Sequence, residues 1–249
     1  MKAAYNHLLR QNLEVSTLGL FEGDSGNVAC ADILLFPVPT TRDGINVYCP
    51  QTGLTIPLDI ANQAKSNAII LSGGYSFTRP HINYLTDDGY CLLNAVPTAE
   101  GAIAAAINAT DFTLWGSRVL VIGAGRVARI LYDRLMGLGC ELTVSARKQS
   151  DFCLLDALSV KHIHTRDVAL NAAEYDIIFN TIDVPIFKGA LENLKNTFVF
   201  DLSSKGCMDY QKAQELGIKA QMLPGIPGKC APITAGKIIA QMVMQYIEE

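Results

Sequence analysis

The stretch Arg118-Val-Leu-Val-Ile-Gly123-Ala-Gly125-Arg126-Val-Ala128 decides the fold of the carboxyl-terminal half of the chain. Its first five residues predict a buried strand, and the glycine pattern GxGxxA then opens a predicted helix. Gly123 permits a tight turn, Gly125 lets the backbone approach a pyrophosphate, and Ala128 allows close packing of helix on strand. The helix amino terminus would present N–H groups to the phosphates. The motif predicts a dinucleotide site; the alternative is a glycine turn that binds nothing.

The end of the next predicted strand indicates which dinucleotide binds. An NAD site commonly carries Asp or Glu about 20 residues after the glycine pattern, where it bonds the ribose 2′-hydroxyl. Here Ser145 follows Gly123 by 22 positions, and Arg147 and Lys148 come directly after. A hydroxyl and two cations favour a 2′-phosphate, which Ser145 would bond and the cations would neutralise. We therefore expect NADP(H) rather than NAD(H); a solvated basic turn is the alternative.

Three later loops are expected to border the nicotinamide, because ligands of such sheets bind outside the carboxyl ends of the strands. They are residues 180–183, 201–205 and 224–229. The last loop, PGIPGK, contains two prolines and two glycines, which predicts a stiff, open turn. The residues predicted to bind the cofactor are Gly123, Ala124, Gly125, Arg126, Val127, Ser145, Arg147, Lys148, Thr181, Ile182 and Ser203.

Short apolar runs alternate with helical segments along the whole chain. In the second half the runs are residues 118–122, 141–145, 160–164, 176–180, 197–201 and 219–222. In the first half they are 15–21, 32–36, 68–71 and 90–93, with helices expected at 2–11, 57–65 and 80–85. Strands that alternate with helices predict an α/β fold with two doubly wound parallel-sheet domains, the second of them a Rossmann domain.

Two helices are expected to connect these domains. Residues 97–109 begin with proline, carry Glu100 in the first turn and continue with alanines, which predicts a linker helix. Residues 232–247 repeat apolar side chains on one helical face. We place a substrate domain at 1–95 with the returning segment 229–249, and the linker helix with the cofactor domain at 96–228. Substrate and cofactor are expected to meet in the cleft between the domains.

The composition excludes several classes of protein. The 249 residues are 49% hydrophobic with a mean hydropathy of +0.22, which is typical of a globular protein. A net charge of −4 without a basic block argues against nucleic-acid binding. No uncharged apolar stretch reaches the ~18–20 residues of a membrane span, and the amino terminus lacks the apolar run of a secretory signal. Seven singly spaced cysteines indicate reduced thiols, so we expect a cytoplasmic protein.

His162 and His164 form an HxH pair on a predicted strand. Such a pair can chelate a metal ion, but no carboxylate or thiol accompanies it at ligand spacing. Two structural histidines are the favoured interpretation, and we expect no metal site.

Several stretches from residue 36 onward carry a family resemblance. They are Phe36-Pro-Val-Pro39 with Asp43-Gly44, the segment 93–102 (LNAVPTAEGA), the segment 116–127 around the glycine motif, Ala146-Arg147-Lys148, residues 201–204 (DLSS) and residues 224–236 (PGIPGKCAPITAG). In these segments the chain resembles the A subunit of dipicolinate synthase from endospore-forming bacteria. The combination of PTAEGA with PGIPGKxAPxTAG is specific, whereas the glycine loop is shared with many dehydrogenases.

The resemblance implies oxidation of dihydrodipicolinate to dipicolinate during sporulation, with NADP+ as electron acceptor and, as partner, a flavoprotein-like B subunit. Binding two substrate carboxylates requires cations, hydroxyls and free backbone N–H groups. The substrate-binding candidates are Thr40, Thr41, Arg42, Ser72, Gly73, Asn94, Thr98 and Lys205. The catalytic candidates are Glu100, as a general base if the cleft desolvates it, and Lys229. Arg42 as a solvated loop residue, Thr98 as a helix cap and Glu100 as a first-turn carboxylate are the alternatives.

The sequence departs from the family pattern in two places. Members open with a further strand and glycine loop, whereas this sequence begins at its first predicted helix. A sheet edge left open in this way is expected to be covered by a second copy or by the B subunit, so we expect a homo-oligomer. In addition, Lys205-Gly206-Cys207 stands where the family tends to have Pro-Gly-Gly.

Two other classes of function remain open. One is a different two-domain NADP enzyme, similar to shikimate or methylenetetrahydrofolate dehydrogenases. The first of these usually depends on a lysine–aspartate pair, and the first domain here offers only Lys2 and Lys65 as lysines. The other class is a non-catalytic nucleotide-binding subunit that supports a catalytic partner.

Overall fold

The structure is a computed structural model that describes residues 1–248. Those residues form nine β-strands and eight α-helices, with short 3-10 turns between them. The strands are β1 Ile33–Leu35, β2 Ile69–Ser72, β3 Ile82–Asn83, β4 Arg118–Ile122, β5 Glu141–Ala146, β6 Lys161–His164, β7 Ile177–Asn180, β8 Phe198–Asp201 and β9 Ala220–Met222. The helices are α1 Lys2–Leu9, α2 Asp88–Ala109, α3 Arg126–Gly137, α4 Gln149–Ala157, α5 Val168–Asn171, α6 Tyr210–Glu215, α7 Ile226–Cys230 and α8 Pro232–Glu248.

The chain divides into two compact units. Unit 1 comprises Met1–Asn94 together with the segment from Pro232 onward, and unit 2 comprises Ala95–Ala231. Each unit contains a parallel sheet, so the predicted α/β class with two parallel-sheet units is confirmed.

The sheet of unit 2 has the order β6-β5-β4-β7-β8-β9, and every neighbouring pair is parallel. Counted along unit 2, this is the Rossmann order 3-2-1-4-5-6. Its central strands are buried on both faces: Val119 and Val121 of β4 pack with α2, α3 and α4, whereas Leu120 and Ile122 pack with α5 and α6. Because both faces are covered there, β4, β7 and β8 are nearly continuous apolar runs. All six strands of this sheet were predicted from sequence within about two residues.

Unit 1 is smaller and less regular. Its sheet has the order β1-β2-β3, again parallel. Leu71 packs on one face with side chains of α1 and α8, and the adjacent Ile70 packs on the other face with Phe36. Helices α1 and α8 approach closely: a Cβ atom on Gly236 would lie 2.4 Å from that of Ala3.

Several sequence predictions for unit 1 are wrong. Residues 15–21 form turns rather than a strand, residues 80–85 contain β3 and a 3-10 turn rather than a helix, and residues 90–93 belong to helix α2. In the last case the Asp87 carboxylate accepts a hydrogen bond from the Tyr90 N–H at 2.6 Å, which caps the start of a helix. Helix α2 therefore begins nine residues before Pro97, and the proline lies in its interior.

The position of α2 changes two other interpretations. Thr98 lies in the helix interior and is not a cap, and Glu100 is not in the first turn. Helix α2 is also long and apolar enough, by length and composition alone, to cross a membrane, with 44% of its most apolar window buried inside the protein. Ala99, Ala102 and Ala106 are fully buried in the core of unit 2, as in a core helix of a soluble protein.

Candidate functional site

The glycine turn after β4 has the geometry that the sequence motif predicts. Gly123 has φ +109°, a conformation that favours glycine. Its N–H donates to the Ser145 carbonyl at 3.1 Å and lies 3.3 Å from the Ser145 hydroxyl, which joins the turn to the end of β5. A Cβ atom here would stand 2.6 Å from Thr181 Oγ1, so a larger residue does not fit without displacement.

Gly125 lies in a different environment. It precedes the first residue of α3, and a Cβ atom built on it would meet nothing within 4 Å. Gly125 is the N-cap residue of α3 and provides no side-chain cap to the first N–H groups of the helix. An uncapped helix terminus beside an open glycine backbone fits a dinucleotide pyrophosphate, in which phosphate oxygens accept bonds from these donors. Arg126, the first residue of α3, is exposed beside this space.

Arg129 braces the glycine turn, a role that the sequence analysis missed. Its Nε donates to the Ala124 carbonyl at 3.0 Å, and its Nη2 lies 3.2 Å from Asp151 Oδ1 of α4. This bridge joins the turn to the helix that follows β5. The available signal was the position of Arg129 one turn into the helix after the glycines.

Of the three residues predicted to select the cofactor, Ser145 is buried, whereas Arg147 and Lys148 are exposed. Ser145 is fully buried, and its hydroxyl is used by Gly123 and by Thr165 Oγ1 at 3.3 Å. The structure does not support the prediction that Ser145 bonds a ribose 2′-phosphate, because its side chain is buried and its hydroxyl is used within the protein. Arg147 and Lys148 follow the end of β5 and are exposed, and neither side chain forms an ion pair within residues 1–248.

The carboxyl ends of β7 and β8 carry the next predicted cofactor contacts. Thr181 Oγ1 donates to the Ile122 carbonyl at 2.8 Å, which holds the loop after β7 against the glycine turn. Ile182 is half-buried beside it, and its carbonyl accepts from Asn180 Nδ2 at 2.9 Å. The parallel sheet thus brings Thr181 and Ile182 to the edge that carries Gly123.

A buried carboxylate at the end of β8 organises the loop that follows. Asp201 is fully buried and accepts from Asn180 Nδ2 and the Ser203 N–H at one oxygen. Its other oxygen accepts from the Cys207 N–H at 2.7 Å and the Tyr210 hydroxyl at 2.5 Å. Burial pushes the pKa of Asp201 upward, but hydrogen bonds from Tyr210, Ser203 and Asn180 outweigh it and leave the pKa below its usual range.

Two neighbours of Asp201 have raised pKa values. Burial is the main cause for both Cys207 and Tyr210, and the Asp201 carboxylate adds to it. Ser203 was predicted from the sequence to contact the cofactor, whereas the supporting roles of Asp201 and Tyr210 were not. Ser203 itself is buried, and its hydroxyl accepts from the Gly206 N–H at 3.1 Å, so it shapes the loop.

A second carboxylate holds the tip of this loop. Asp183 Oδ1 accepts from the Ser204 N–H at 2.7 Å, the Ser204 hydroxyl at 3.0 Å and the Lys205 N–H at 3.1 Å. Burial opposes ionisation of Asp183, but the Ser204 hydrogen bonds leave its pKa lowered. The backbone of Lys205 is thus fixed, and its side chain is exposed.

The sequence predicted an open turn at residues 224–229, but the structure has a short helix there. Gly225 has φ +65°, and the short helix α7 begins directly after it. Ile226 is buried and Lys229 is exposed. Helix α7 packs closely on α2, because a Cβ atom on Gly101 would stand 2.2 Å from Ile226 Cγ2 and 2.6 Å from the Cys230 sulfur.

Glu100 does not occupy a desolvated position. Its side chain is exposed and lies 3.9 Å from Arg134 Nε, near the carboxyl end of α3 and away from the glycine turn. A carboxylate in a surface ion pair is surrounded by solvent, and the desolvation that a general-base role at this position requires is absent. The structure therefore does not support Glu100 as the base.

In unit 1, two of the candidate hydroxyls are used internally. Thr40 is buried; its Oγ1 donates to the Pro37 carbonyl at 3.2 Å and accepts from the Gly73 N–H at 2.8 Å. The fully buried Ser72 forms hydrogen bonds with both backbone groups of Tyr75. These hydroxyls join the loops after β1 and β2 and are not exposed to a ligand, so the prediction that they bind substrate is wrong.

Gly73 also belongs to the junction between the loops after β1 and β2. A Cβ atom on Gly73 would lie 2.1 Å from the Pro37 carbonyl oxygen, which explains why glycine stands there. Asn94 and Thr98 are half-buried on α2 and have partners in the structure. Thr41 and Arg42 lie beyond the junction, on the loop after β1, and Arg42 is exposed.

His162 and His164 have structural partners. His162 Nε2 lies 2.9 Å from Asp156 Oδ1, and His164 Nδ1 accepts from the Arg166 N–H. Phe152 packs against both imidazole rings. Within residues 1–248, no group of three His, Cys, Asp or Glu side chains is arranged to hold a metal ion.

The sheet order of unit 2 and its open glycine turn define the class: this is a Rossmann-type α/β protein with the fold of NAD(P)-dependent oxidoreductases. No protein-family model matches the chain. It is 28% identical to the dipicolinate synthase A subunit of Bacillus subtilis over 268 aligned positions, covering 97% of this chain and 90% of that protein.

Comparison with solved structures shows similarity to the same subunit. The crystal structure of the dipicolinate synthase A subunit from Bacillus halodurans superimposes with a TM-score of 0.90 and 27% identity, covering 100% of this chain and 94% of that one. The crystal structure of the corresponding Bacillus subtilis protein gives a TM-score of 0.86 and 27% identity over 99% and 91% of the two chains. The chain is thus related over nearly its whole length to the A subunit of dipicolinate synthase, and the resemblance carried by its sequence motifs is confirmed.

More distant structures share only the fold. A transhydrogenase from Sinorhizobium meliloti, 16% identical, gives a TM-score of 0.55 over 76% of this chain and 70% of its own. A formate dehydrogenase from Granulicella, 15% identical, gives 0.52 over 89% and 72%. These likenesses support a nucleotide-binding oxidoreductase fold.

Proposed function

We propose that this protein is the A subunit of a dipicolinate synthase, which oxidises dihydrodipicolinate to dipicolinate with NADP+ during sporulation. The observation that carries the proposal is the open glycine cradle at Gly125 and the uncapped start of α3, in a chain related end to end to that subunit. The substrate loses a hydride from one ring carbon and a proton from the adjacent position, and the ring becomes aromatic. The nicotinamide, when bound, accepts the hydride at C4.

The chain would hold the dinucleotide through backbone and side-chain groups of unit 2. The N–H groups at the start of α3 would bond the pyrophosphate, with Arg126 beside them. Arg147 and Lys148 would neutralise a ribose 2′-phosphate, since both are exposed and carry no competing ion pair within residues 1–248. Thr181, Ile182 and the loop braced by Asp201 would border the nicotinamide.

The substrate is a ring dicarboxylate with two negative charges, and exposed cations are suited to bind it. Arg42, Lys205 and Lys229 are exposed, whereas Thr40 and Ser72 are buried and shape the loops. Lys205 has its backbone fixed by Asp183, which limits the conformations of its side chain. We therefore propose Arg42 in unit 1, and separately Lys205 and Lys229 in unit 2, as candidates for substrate charge recognition, and we assign general-base catalysis to neither Glu100 nor the buried hydroxyls.

The proposal includes a cytoplasmic location, self-association through unit 1 and a partner B subunit. The homologous protein is named as one subunit of its synthase, which implies a second subunit in that complex. Self-association and the cytoplasmic location follow from the sequence expectations and stay predictions.

The decisive experiment is an assay of the purified chain with dihydrodipicolinate and NADP+, alone and with the B subunit, following absorbance at 340 nm. Substrate-dependent NADPH formation that is lost in the Gly125→Val variant would support a catalytic role in this chain. NADPH formation only with the partner, and unchanged by Gly125→Val, would indicate a non-catalytic subunit. NADPH formation from shikimate or methylenetetrahydrofolate, but not from dihydrodipicolinate, would instead indicate another NADP dehydrogenase.

A further inference from the structure

Arg42 lies over an aromatic ring although it is exposed. Its guanidinium carbon lies 4.1 Å from the centroid of the Tyr48 ring. A cation–π contact of this kind does not use the guanidinium N–H donors, which remain available to bond a second group. Arg42 forms no ion pair within residues 1–248, so those donors are not occupied by a carboxylate of the chain.

The carboxylate of Asp43, the residue that follows Arg42, is hydrogen-bonded to groups of its own turn. Asp43 accepts from the Ile45 N–H at 2.9 Å and from the Asn46 N–H at 2.8 Å. Its carboxylate also accepts from the Asn46 side chain at 2.9 Å and from the Thr41 hydroxyl at 3.0 Å. These hydrogen bonds, the Asn46 N–H first among them, hold the pKa of Asp43 well below its usual range. The Asp43 carboxylate is therefore bonded within its own turn and forms no ion pair with the adjacent Arg42 in residues 1–248.

The Arg42–Tyr48 pair lies beyond the carboxyl ends of the unit 1 strands. Arg42 follows β1, and two residues before it Thr40 is bonded to Gly73 in the loop after β2. The Tyr48 N–H donates to the Thr40 carbonyl at 2.8 Å, which fixes the stacking residue to the same junction. Carboxyl ends of parallel strands are where ligands of α/β sheets bind.

We propose that Tyr48 is a positioning residue that holds Arg42 ready to bind one carboxylate of a ring dicarboxylate, and that this pair distinguishes dicarboxylates from monocarboxylates. A guanidinium binds a carboxylate with two parallel hydrogen bonds, so the second carboxylate of the ligand is recognised by shape as well as charge. The inference rests on the proposed function, since it takes the substrate to be dihydrodipicolinate and the product to be pyridine-2,6-dicarboxylate. A solvated arginine would contribute no such discrimination.

The test is calorimetric titration of the full chain with pyridine-2,6-dicarboxylate and with pyridine-2-carboxylate, in buffer free of divalent metals. The wild-type chain should prefer the dicarboxylate by about tenfold or more. Arg42→Gln should abolish this preference by weakening dicarboxylate binding ~10–100-fold, with little change for the monocarboxylate. Tyr48→Ala should weaken dicarboxylate binding ~2–5-fold, and Tyr48→Phe should leave it unchanged because the ring remains.

The control is Arg10→Gln, which removes an exposed charge after α1 in the same unit. It should leave both affinities unchanged. A wild-type preference that survives Arg42→Gln overturns the inference but not the proposed function. If the folded wild-type chain binds neither ligand while it still binds NADP(H), the substrate assignment and this inference fail together. Circular dichroism of each variant ensures that the comparison is made on folded protein.

Discussion

Gly123 and Thr181 lie so close together that a Cβ atom added to the glycine would stand 2.6 Å from the threonine Oγ1. Two residues later, a Cβ atom on Gly125 would meet nothing within 4 Å. The two glycines of one motif are therefore required for different reasons. The first permits the turn and the contact with the neighbouring strand end, and the second leaves space outside the protein surface for a ligand.

This difference predicts opposite behaviour for two valine substitutions. Gly125→Val should abolish NADP(H) binding while the thermal unfolding temperature stays within a few degrees of the wild type, because its side chain enters only the space for the pyrophosphate. Gly123→Val should lower stability by ~2–4 kcal/mol, because it adds strain at φ +109° to a steric clash. Cofactor titration and thermal unfolding on both variants check the prediction. Retained binding in Gly125→Val would show that the turn is not the cofactor site.

Cofactor selectivity should depend on the exposed cations after β5. Arg147→Ala should weaken NADP(H) binding by ~1.5–3 kcal/mol through loss of a charge-assisted contact, with little change for NAD(H). Ser145→Ala provides the matched control: its buried hydroxyl supports the turn, so the variant should change both affinities by the same factor. Equal wild-type affinities for the two dinucleotides in parallel fluorescence titrations would contradict the assignment.

The Asp201 network predicts a pH-dependent effect of Tyr210→Phe. The variant removes one hydrogen bond to a buried carboxylate, which should lower the free energy of unfolding by ~1–3 kcal/mol at pH 7. Because the folded-state pKa of Asp201 is lowered, its ionisation stabilises the protein above the unfolded-state pKa of about 3.9, and this stabilisation is lost as pH falls through the folded value. The difference between variant and wild type should therefore shrink below about pH 4.

Urea unfolding at a series of pH values measures this difference. Tyr5→Phe is the control, since the Tyr5 ring packs on Phe21 and its hydroxyl has no protein partner within residues 1–248. It should have little effect at any pH. A Tyr210→Phe deficit that stays constant down to pH 3 would contradict the role of the ionised Asp201.

The close packing of α2 on α7 predicts the effect of an alanine at position 101. Alanine favours a helix over glycine by ~1 kcal/mol, but a Cβ atom here would lie 2.2 Å from Ile226 Cγ2. We expect Gly101→Ala to destabilise the protein by ~1–3 kcal/mol because the helices must separate. Gly137→Ala, at an exposed position of α3 with nothing within 4 Å, should instead be neutral or stabilising by up to ~1 kcal/mol. Urea unfolding of both variants decides this, and equal effects would argue against close packing at Gly101.

The sequence was informative where the structural determinants are local. The central strands β4, β7 and β8 are short apolar runs because both faces of their sheet are covered, and the GxGxxA motif specifies a turn within six residues. In unit 1 the same reasoning failed at residues 90–93, where the apolar run suggests a strand but Asp87 caps a helix. Pro97 then suggested a helix start, although the fold accommodates it inside α2.

The sequence by itself determined the α/β class, the Rossmann half with its glycine turn, and the relationship to the A subunit of dipicolinate synthase. The tertiary structure decided which polar side chains remain available to a ligand. Ser145, Thr40 and Ser72 look like ligand-binding hydroxyls, but the structure buries all three, and the first two bond to glycines 22 and 33 residues away. Such pairings form only when distant strand ends meet at one edge of a sheet. A buried polar group must find a hydrogen-bond partner within the protein, and residue spacing along the chain does not specify which one.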